Sequence, residues 1–509
     1  MVEYSLLTND RLKNNNTIYE VQMQGDRFGN ILTPGATATS AFGEPISVPL
    51  TPIIQLDALY GLDPREFQTF SAFGGSFENT NTSWKCHTGT SAYGYGVIRS
   101  NRVLRYRPGQ GAMMRFTAGF NNPQAGVSLR AGFFAQEQAL NVGYNGTEFG
   151  ILRANGGKAH IHQFVITTGG TGTATITLNG VAVNVSIASA DTQVVATTIA
   201  AASFPGWTVE QVGSKVKFLS QSLGVNAAAF TYSGTGAATV SVLQTGVAQT
   251  ENWTKQSEFN VDKLDGTGPS KMIIDTSKLN IFQCHFRWLG AGEIRWAIED
   301  SITGDMIYFH HEHYSNRNTE PHLDNPSFRI GYIAANLSAS TITDAHTFGS
   351  SMMAAQEGLE KDTAFTSATG SSKSSLNNTL YHGLISVKNT IIYQSRINLR
   401  KVKLKHFSVA CQSNDPVQIY LVLNATKSIA RSWNQVASFS CVIFDIADGS
   451  YTIANEHVMS QFVVGAGDKL DLNLDDLEIT IPPGSDVSVI AKSAQSIQSI
   501  YTALTWIEV

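Results

Sequence analysis

The sequence predicts a mainly β chain: a discontinuous antiparallel β-sandwich, a small inserted α+β module, and a C-terminal β-sandwich or jelly-roll domain. Three observations carry that reading. Charged residues fill only 15% of 509 positions while glycine occurs 44 times, a balance that favours strands joined by turns over long helices. Apolar alternations of strand length recur between Gly, Pro and Asn punctuation. The style also breaks abruptly over residues 166–250, which are Ala-, Thr- and Gly-rich and nearly uncharged, while the flanks resemble each other. An insertion into one surface loop of a split parent explains this, because such insertions cost little when the loop ends lie close together.

Residues 1–50 lack a stable period and hold turn formers such as Asp26, Gly29, Pro34 and Gly35. Such a segment buries too little apolar surface to offset its own ordering, so it is expected to be an extended arm that docks on a partner, or a disordered end. The body is expected over 51–165 and 251–358. Its first half shows an aromatic run at Phe67, Phe70, Phe73 and Phe77, then strand patterns over 91–98, 103–106, 112–118, 127–134 and 148–152, with a tight turn at Pro108-Gly109.

The insertion, 166–250, reads as a hairpin about Asn179-Gly180, a helix over 192–202 capped by Asp191, and further short strands. The body resumes at Trp253. It gives the densest core signal in the chain: strand-like residues 272–274, alternation over 279–288, a turn at Leu289-Gly290-Ala291-Gly292, and alternation over 293–298. These last two runs predict a long hairpin that pairs with strands from before residue 165. Residues 359–383, rich in Ser and Thr, read as a linker, and 384–509 as ten short strands.

Charge and cysteine usage narrow the function classes. A net charge of −5 and a pI near 6.2 give no global attraction to phosphate backbones, so no nucleic-acid partner is expected. The basic stretch 396–405 alternates with apolar residues and reads as a strand with one wet cationic face. Cys86, Cys284, Cys411 and Cys441 show no metal spacing, and a bridge such as Cys411 to Cys441 is not fixed by spacing. Neither a secretory signal pattern nor a membrane-spanning apolar run is present, so a soluble, reducing site of synthesis is expected, without membrane insertion.

Candidate chemistry is sparse. In Tyr308-Phe309-His310-His311-Glu312-His313-Tyr314 a strand would put His311 and His313 on one face and His310 and Glu312 on the other. Solvated histidines at a strand end are the simpler reading, with a structural divalent ion at His311 and His313 as the alternative. His160 and His162 invite the same judgement, or line an interface beside the insertion. Loop carboxylates Asp262, Asp265, Glu299, Asp300, Asp305, Asp471, Asp475 and Asp476 could in principle pair for glycoside hydrolysis. Asp265-Gly266 is better explained as turn chemistry, and the group from Asp471 alternates with Leu as a strand does. Walker, Rossmann and GxSxG motifs are absent. No catalytic, cofactor-binding or metal residue is assigned, and no enzyme is expected.

One set of motifs does carry a resemblance. Asn101-Arg102-Val103-Leu104-Arg105-Tyr106-Arg107-Pro108-Gly109-Gln110, Arg115-Phe116-Thr117, Asp265-Gly266-Thr267-Gly268, Leu279-Asn280-Ile281-Phe282, Trp288-Leu289-Gly290-Ala291-Gly292 and Ile294-Arg295 resemble a set found in virion structural proteins of tailed bacteriophages and related large DNA viruses. The insertion is similar to small β-rich decorations of phage tail proteins. The final strands, with Ile481-Pro482-Pro483-Gly484 and Leu504-Thr505-Trp506-Ile507-Glu508, resemble the ends of fibre domains. Phe328-Arg329-Ile330-Gly331-Tyr332 and Gln356-Glu357-Gly358 match only in part the arginine-centred strand and EGG stretch of that family.

The resemblance implies a non-enzymatic tail, baseplate or fibre component, made in the host cytoplasm and resident in the virion tail or outer surface. Implied partners are other virion subunits and further copies of itself, a trimer by family habit, with a host-surface glycan as a candidate. A capsid-surface or head-fibre protein is one alternative, and a polysaccharide-binding or polysaccharide-cleaving enzyme another. The arm would dock, the body stay rigid, the insertion project outward, and the last domain mediate assembly or host contact.

Overall fold

The computed structural model describes residues 50–509 except 359–364, 374–375, 377, 413–414, 448, 454–456, 478 and 494–498, together with four two-residue strands before residue 33. The arm expected over 1–50 therefore lies almost wholly outside the described residues. The chain divides into a small unit, residues 1–51 with 357–359, and a large one formed by 52–356 and 360–509.

The body of the large unit is two antiparallel sheets. In the first, Met306–Glu312, Ile294–Glu299, Asn280–Phe286 and Ala112–Asn121 lie side by side, and His346–Gly349, Ser83–His87 and Ser76–Thr80 continue the row. The second runs Thr250–Lys255, Glu148–Asn155, Ala139–Asn145, Val127–Phe134, Arg329–Asn336, Tyr95–Ser100 and Phe67–Ala72. Inward side chains meet as aromatic pairs between the sheets, Phe149 with Phe282, Phe133 with Phe286 and Trp84 with Tyr332, at centroid distances of 6.4, 6.3 and 6.0 Å. Such edge-on and tilted contacts add to the area each ring buries. The strand Val127–Phe134 is buried at every residue. Its outward Arg130 lies under the Trp253 ring, 4.5 Å from the centroid.

The expected hairpin is present. Asn280–Phe286 and Ile294–Glu299 pair antiparallel with Phe282 opposite Ile298, and the first strand pairs along Ala112–Asn121, from before residue 165. Residues 272–274 form no strand, only a bridge from Ile273 to Asp265. Residues 103–106 likewise form none: Leu104 bridges to Phe328 alone, because the segment buries Leu104 and Tyr106 without a backbone ladder. The aromatic run splits into Phe67–Ala72 and Ser76–Thr80 about a turn where Phe73 and Gly74 have φ of 51° and 82°.

Within the inserted stretch a four-stranded sheet, Trp207–Val212, Lys215–Leu223, Ala159–Thr168 and Ala237–Gln244, and a three-stranded sheet, Val181–Ser189, Gly170–Leu178 and Thr231–Gly234, enclose the helix Thr192–Ala200. Asp191 caps that helix, its Oδ1 accepting from the Gln193 and Val194 amides at 2.7 and 3.1 Å. Asn179 and Gly180, with φ of 49° and 83°, make the left-handed hairpin turn that Asn-Gly suits. The module's first strand starts at Ala159, so His160 and His162 belong to it.

The C-terminal strands cross repeatedly between two sheets, as in a jelly roll. Phe365–Lys373, Ser499–Glu508, Val402–Gln412 and Lys469–Asn473 form one; Tyr381–Asn389, Asp486–Ser493, Val417–Leu423 and Val458–Val464 form the spine of the other. Trp506, Phe407, Leu421 and Val387 fill the space between. The segment read as a linker thus holds the strand Phe365–Lys373, paired residue for residue with Ser499–Glu508 up to Ile500.

The insertion does not stand free. Buried Glu210 accepts from the Ile391 and Ile392 amides at 2.7 and 3.3 Å. Gln211 exchanges side-chain hydrogen bonds with the Trp433 backbone, its Oε1 accepting from the amide at 2.8 Å and its Nε2 donating to the carbonyl at 3.2 Å. Val212, Trp433 and Ile443 form a small apolar cluster there. The outward projection expected of the module is corrected to docking on the jelly roll.

Candidate functional site

The histidine-rich run ends the edge strand Met306–Glu312, whose register against Ile294–Glu299 shifts between Trp296 and Ala297. Strand alternation sorts its side chains as expected. His310 is buried beside Phe259, ring centroids 5.9 Å apart, and burial, helped by the neighbouring His311 and His313, pushes it down to about 4. Glu312, on the same side, receives Arg153 Nε at 2.6 Å. Burial raises the Glu312 carboxyl although Arg153 pulls against it.

On the other face His311 and His313 converge on Glu293, their Nδ1 atoms 3.4 and 3.3 Å from its Oε1. The other oxygen of Glu293, Oε2, receives Arg295 Nε and Nη2, each at 2.6 Å. Asn260 fixes the His311 backbone from both sides, accepting from its amide at 2.9 Å and donating to its carbonyl at 2.8 Å. A cleft of about 370 Å³, lined by Gly292, Glu293, His313, Tyr314 and Arg317 among others, opens beside the cluster.

A second histidine cluster has no counterpart among the sequence candidates. His87 and His346 are direct cross-strand partners, and Asp344 brings a carboxylate oxygen within 4.8 Å of a ring nitrogen of each. Its Oδ2 faces His87 Nδ1 at 2.7 Å, while its Oδ1 accepts from the Gly89 amide at 2.8 Å. His346 Nε2 pairs with the Asn121 amide at 3.1 Å.

His160 and His162 are buried, stacked on each other and on Phe230, the His162 centroid 3.6 Å from that ring. A chain of hydrogen bonds runs from the Gly246 amide to His160 Nδ1 at 3.3 Å and from His160 Nε2 to His162 Nδ1 at 2.9 Å. Burial holds His162 down at about 4, so this is a neutral core pair.

Three of the loop carboxylates, Asp262, Asp265 and Asp300, are engaged in turns. Asp262 is buried and accepts from the Leu264 and Ser270 amides, one through each oxygen, both at 2.8 Å. Asp265 takes the Thr267 amide and hydroxyl at 2.9 and 2.5 Å, an Asx turn. Asp300 accepts from the Ile302 amide at 2.9 Å, and Asp475 pairs with Lys405. The side chain of Asp476 lies outside the described residues. In the basic stretch Val402 and Leu404 are buried while Lys403 and Lys405 are half-buried, the alternation expected. Arg396 and Arg400 line an open cleft of about 590 Å³ with Arg105, Tyr106, Trp288 and Tyr393.

All four cysteines are free and buried, and burial raises the Cys86, Cys284 and Cys441 thiols far above their ordinary value, which makes them inert packing groups. Among the described residues no helix is long and apolar enough to cross a membrane.

No family model matches the chain, and no curated protein matches it. Among solved structures, a chain from "The Triple Jelly Roll Fold and Turret Assembly in an Archaeal Virus" aligns over 91% of this chain and 98% of its own at 9% identity, with a TM-score of 0.16. One from the Sulfolobus turreted icosahedral virus aligns over 91% and 98% at 8% identity and a TM-score of 0.15. The mavirus major capsid protein aligns over 94% and 92% at 9% identity and a TM-score of 0.11. Superposition at these scores defines no common fold, so the architecture rests on the strand pairing described above.

Proposed function

We propose that the chain is a non-enzymatic structural protein of a phage virion, a tail, baseplate or fibre component assembled with other virion subunits and with copies of itself. The observation that carries this is where the motifs of the resemblance fall. Leu104, Tyr106, Phe116, Phe282 and Ile294 are core residues. Asn101 holds the Pro64 carbonyl at 2.6 Å, and Trp288 Nε1 donates to the Leu323 carbonyl at 2.9 Å. Pro108-Gly109 and Asp265-Gly266 are turns, with glycine φ of 88° and 84°. The motif set thus marks core and turn positions of the two-sheet body, and it is the resemblance carried by those positions, not the fold by itself, that points to a structural role. The split-sandwich, insertion and jelly-roll division completes the plan: the body is the frame, and the docked insertion and jelly roll form the assembly or host-contact end.

The test is particle composition. Gradient-purified virions should contain the chain at a fixed copy number, and a label on the exposed loop at Ile302 should decorate the tail. Decoration of the shell instead would move the protein to the capsid surface, and absence from particles would end both readings. Cleavage of host polysaccharide that disappears in Asp262→Ala or Asp265→Ala would replace the structural reading with an enzymatic one.

A further inference from the structure

We propose that Glu293, His311 and His313 form a binding site for a divalent first-row transition ion, of which Zn²⁺ is the best chemical match. The ligands are Glu293 Oε1 and the Nδ1 atoms of the two imidazoles. Imidazole and carboxylate donors are those zinc takes, at about 2.0–2.2 Å. Two donors on a tetrahedral ion at that distance stand about 3.4 Å apart. The observed separations of 3.4 and 3.3 Å from Oε1 to the two nitrogens have that length. They are longer than a charge-assisted hydrogen bond, which closes to about 2.7–2.9 Å.

The surroundings are built to hold this geometry. Arg295 grips Oε2 of Glu293 with two N–H groups at 2.6 Å and leaves Oε1 turned to the histidines, an outer-shell contact that aims a ligand. Asn260 clamps the His311 backbone by its amide and carbonyl. His311 Nδ1 stands 3.4 Å from Glu293 Oε1, too long for a short hydrogen bond, so that nitrogen is open to an ion.

The adjoining cleft is lined by Glu293 and His313, so the remaining coordination positions face solvent. The other histidine group offers less: His87 Nδ1 is closed on Asp344 at 2.7 Å and His346 Nε2 on Asn121 at 3.1 Å.

The full chain, stripped with a chelator, is titrated with Zn²⁺ against a chromophoric competitor and with Co²⁺ by visible absorption. One ion per chain is expected, with a tetrahedral Co²⁺ spectrum. His313 is half exposed, so His313→Ala keeps the fold and should weaken binding at least about tenfold. Glu293→Gln should do the same, and His87→Ala should change nothing. Absence of binding in the parent chain, undiminished binding in His313→Ala, or loss confined to His87→Ala would each overturn the assignment. None of these results bears on whether the chain is found in virions, so the two proposals fail separately.

Discussion

Lys427 and Asp445 are paired at 2.7 Å with 1% and 0% of their side chains exposed, and Lys427 also donates to the Ala447 carbonyl at 2.9 Å. Removing one partner strands the other charge out of water. Lys427→Ala should therefore cost about 3–5 kcal/mol in denaturant unfolding. A loss below about 1 kcal/mol, the scale of a surface pair, would mean that water reaches Asp445. The buried histidines give a signed pH effect. His162, His310 and His322 are each held by burial at about 4, below the unfolded value of about 6.5. Their contribution is complete above about pH 6.5 and drains away as pH falls toward the folded values, at up to about 1.4 kcal/mol per pH unit for each. Asp486 and Glu312, raised by burial, act with the opposite sign above the unfolded carboxylate range, so the histidine contribution is read as the difference between the parent chain and a histidine variant over about pH 4 to 6.5. The parent chain should lose stability relative to His162→Phe on acidification there. Parallel profiles would contradict the burial of that ring.

At the scale of elements, the hairpin turn discriminates two kinds of glycine. Gly290 has a φ of +83°, and the nearest atom to an added Cβ is 3.8 Å away, so Gly290→Ala should lose only the left-handed penalty of about 1–2 kcal/mol. A Cβ on Gly292 would lie 1.3 Å from the Arg287 carbonyl oxygen, so Gly292→Ala must move backbone and should lower the melting temperature more. The reverse order would mean that the turn is built differently. This hairpin was legible because alternation and turn chemistry agree locally. Residues 103–106 misled because Leu104 and Tyr106 are apolar positions that pack without laddering. The strand Phe365–Lys373 was hidden for the converse reason: its Ser, Thr and Gly carry no apolar signal, and what orders it is a partner strand more than a hundred residues away in sequence, Ser499–Glu508. Long-range register hid the metal candidates too. His311 and His313 are visible as a strand-end pair, but Glu293 joins them only through the pairing of Arg295 with His311, and His87 meets His346 only through sheet order.

At the scale of the molecule, Glu210 and Gln211 tie the inserted stretch to the jelly roll. If the two move as one piece, Glu210→Ala should expose the amides of Ile391 and Ile392 to hydrogen exchange while leaving the body strands protected; unchanged exchange there would mean that the contact contributes nothing. The resemblance to fibre-type virion proteins further leads us to expect three copies per assembly, read by light scattering of the purified chain; a monomer at all concentrations would contradict it. The central claim, that this chain is a building block of a virion, is tested most directly by a reconstruction of the intact particle. The expected result is a symmetric oligomer in the tail apparatus whose density accommodates the two-sheet body with the insertion docked on the jelly roll. A particle whose every density is accounted for by other chains would contradict it.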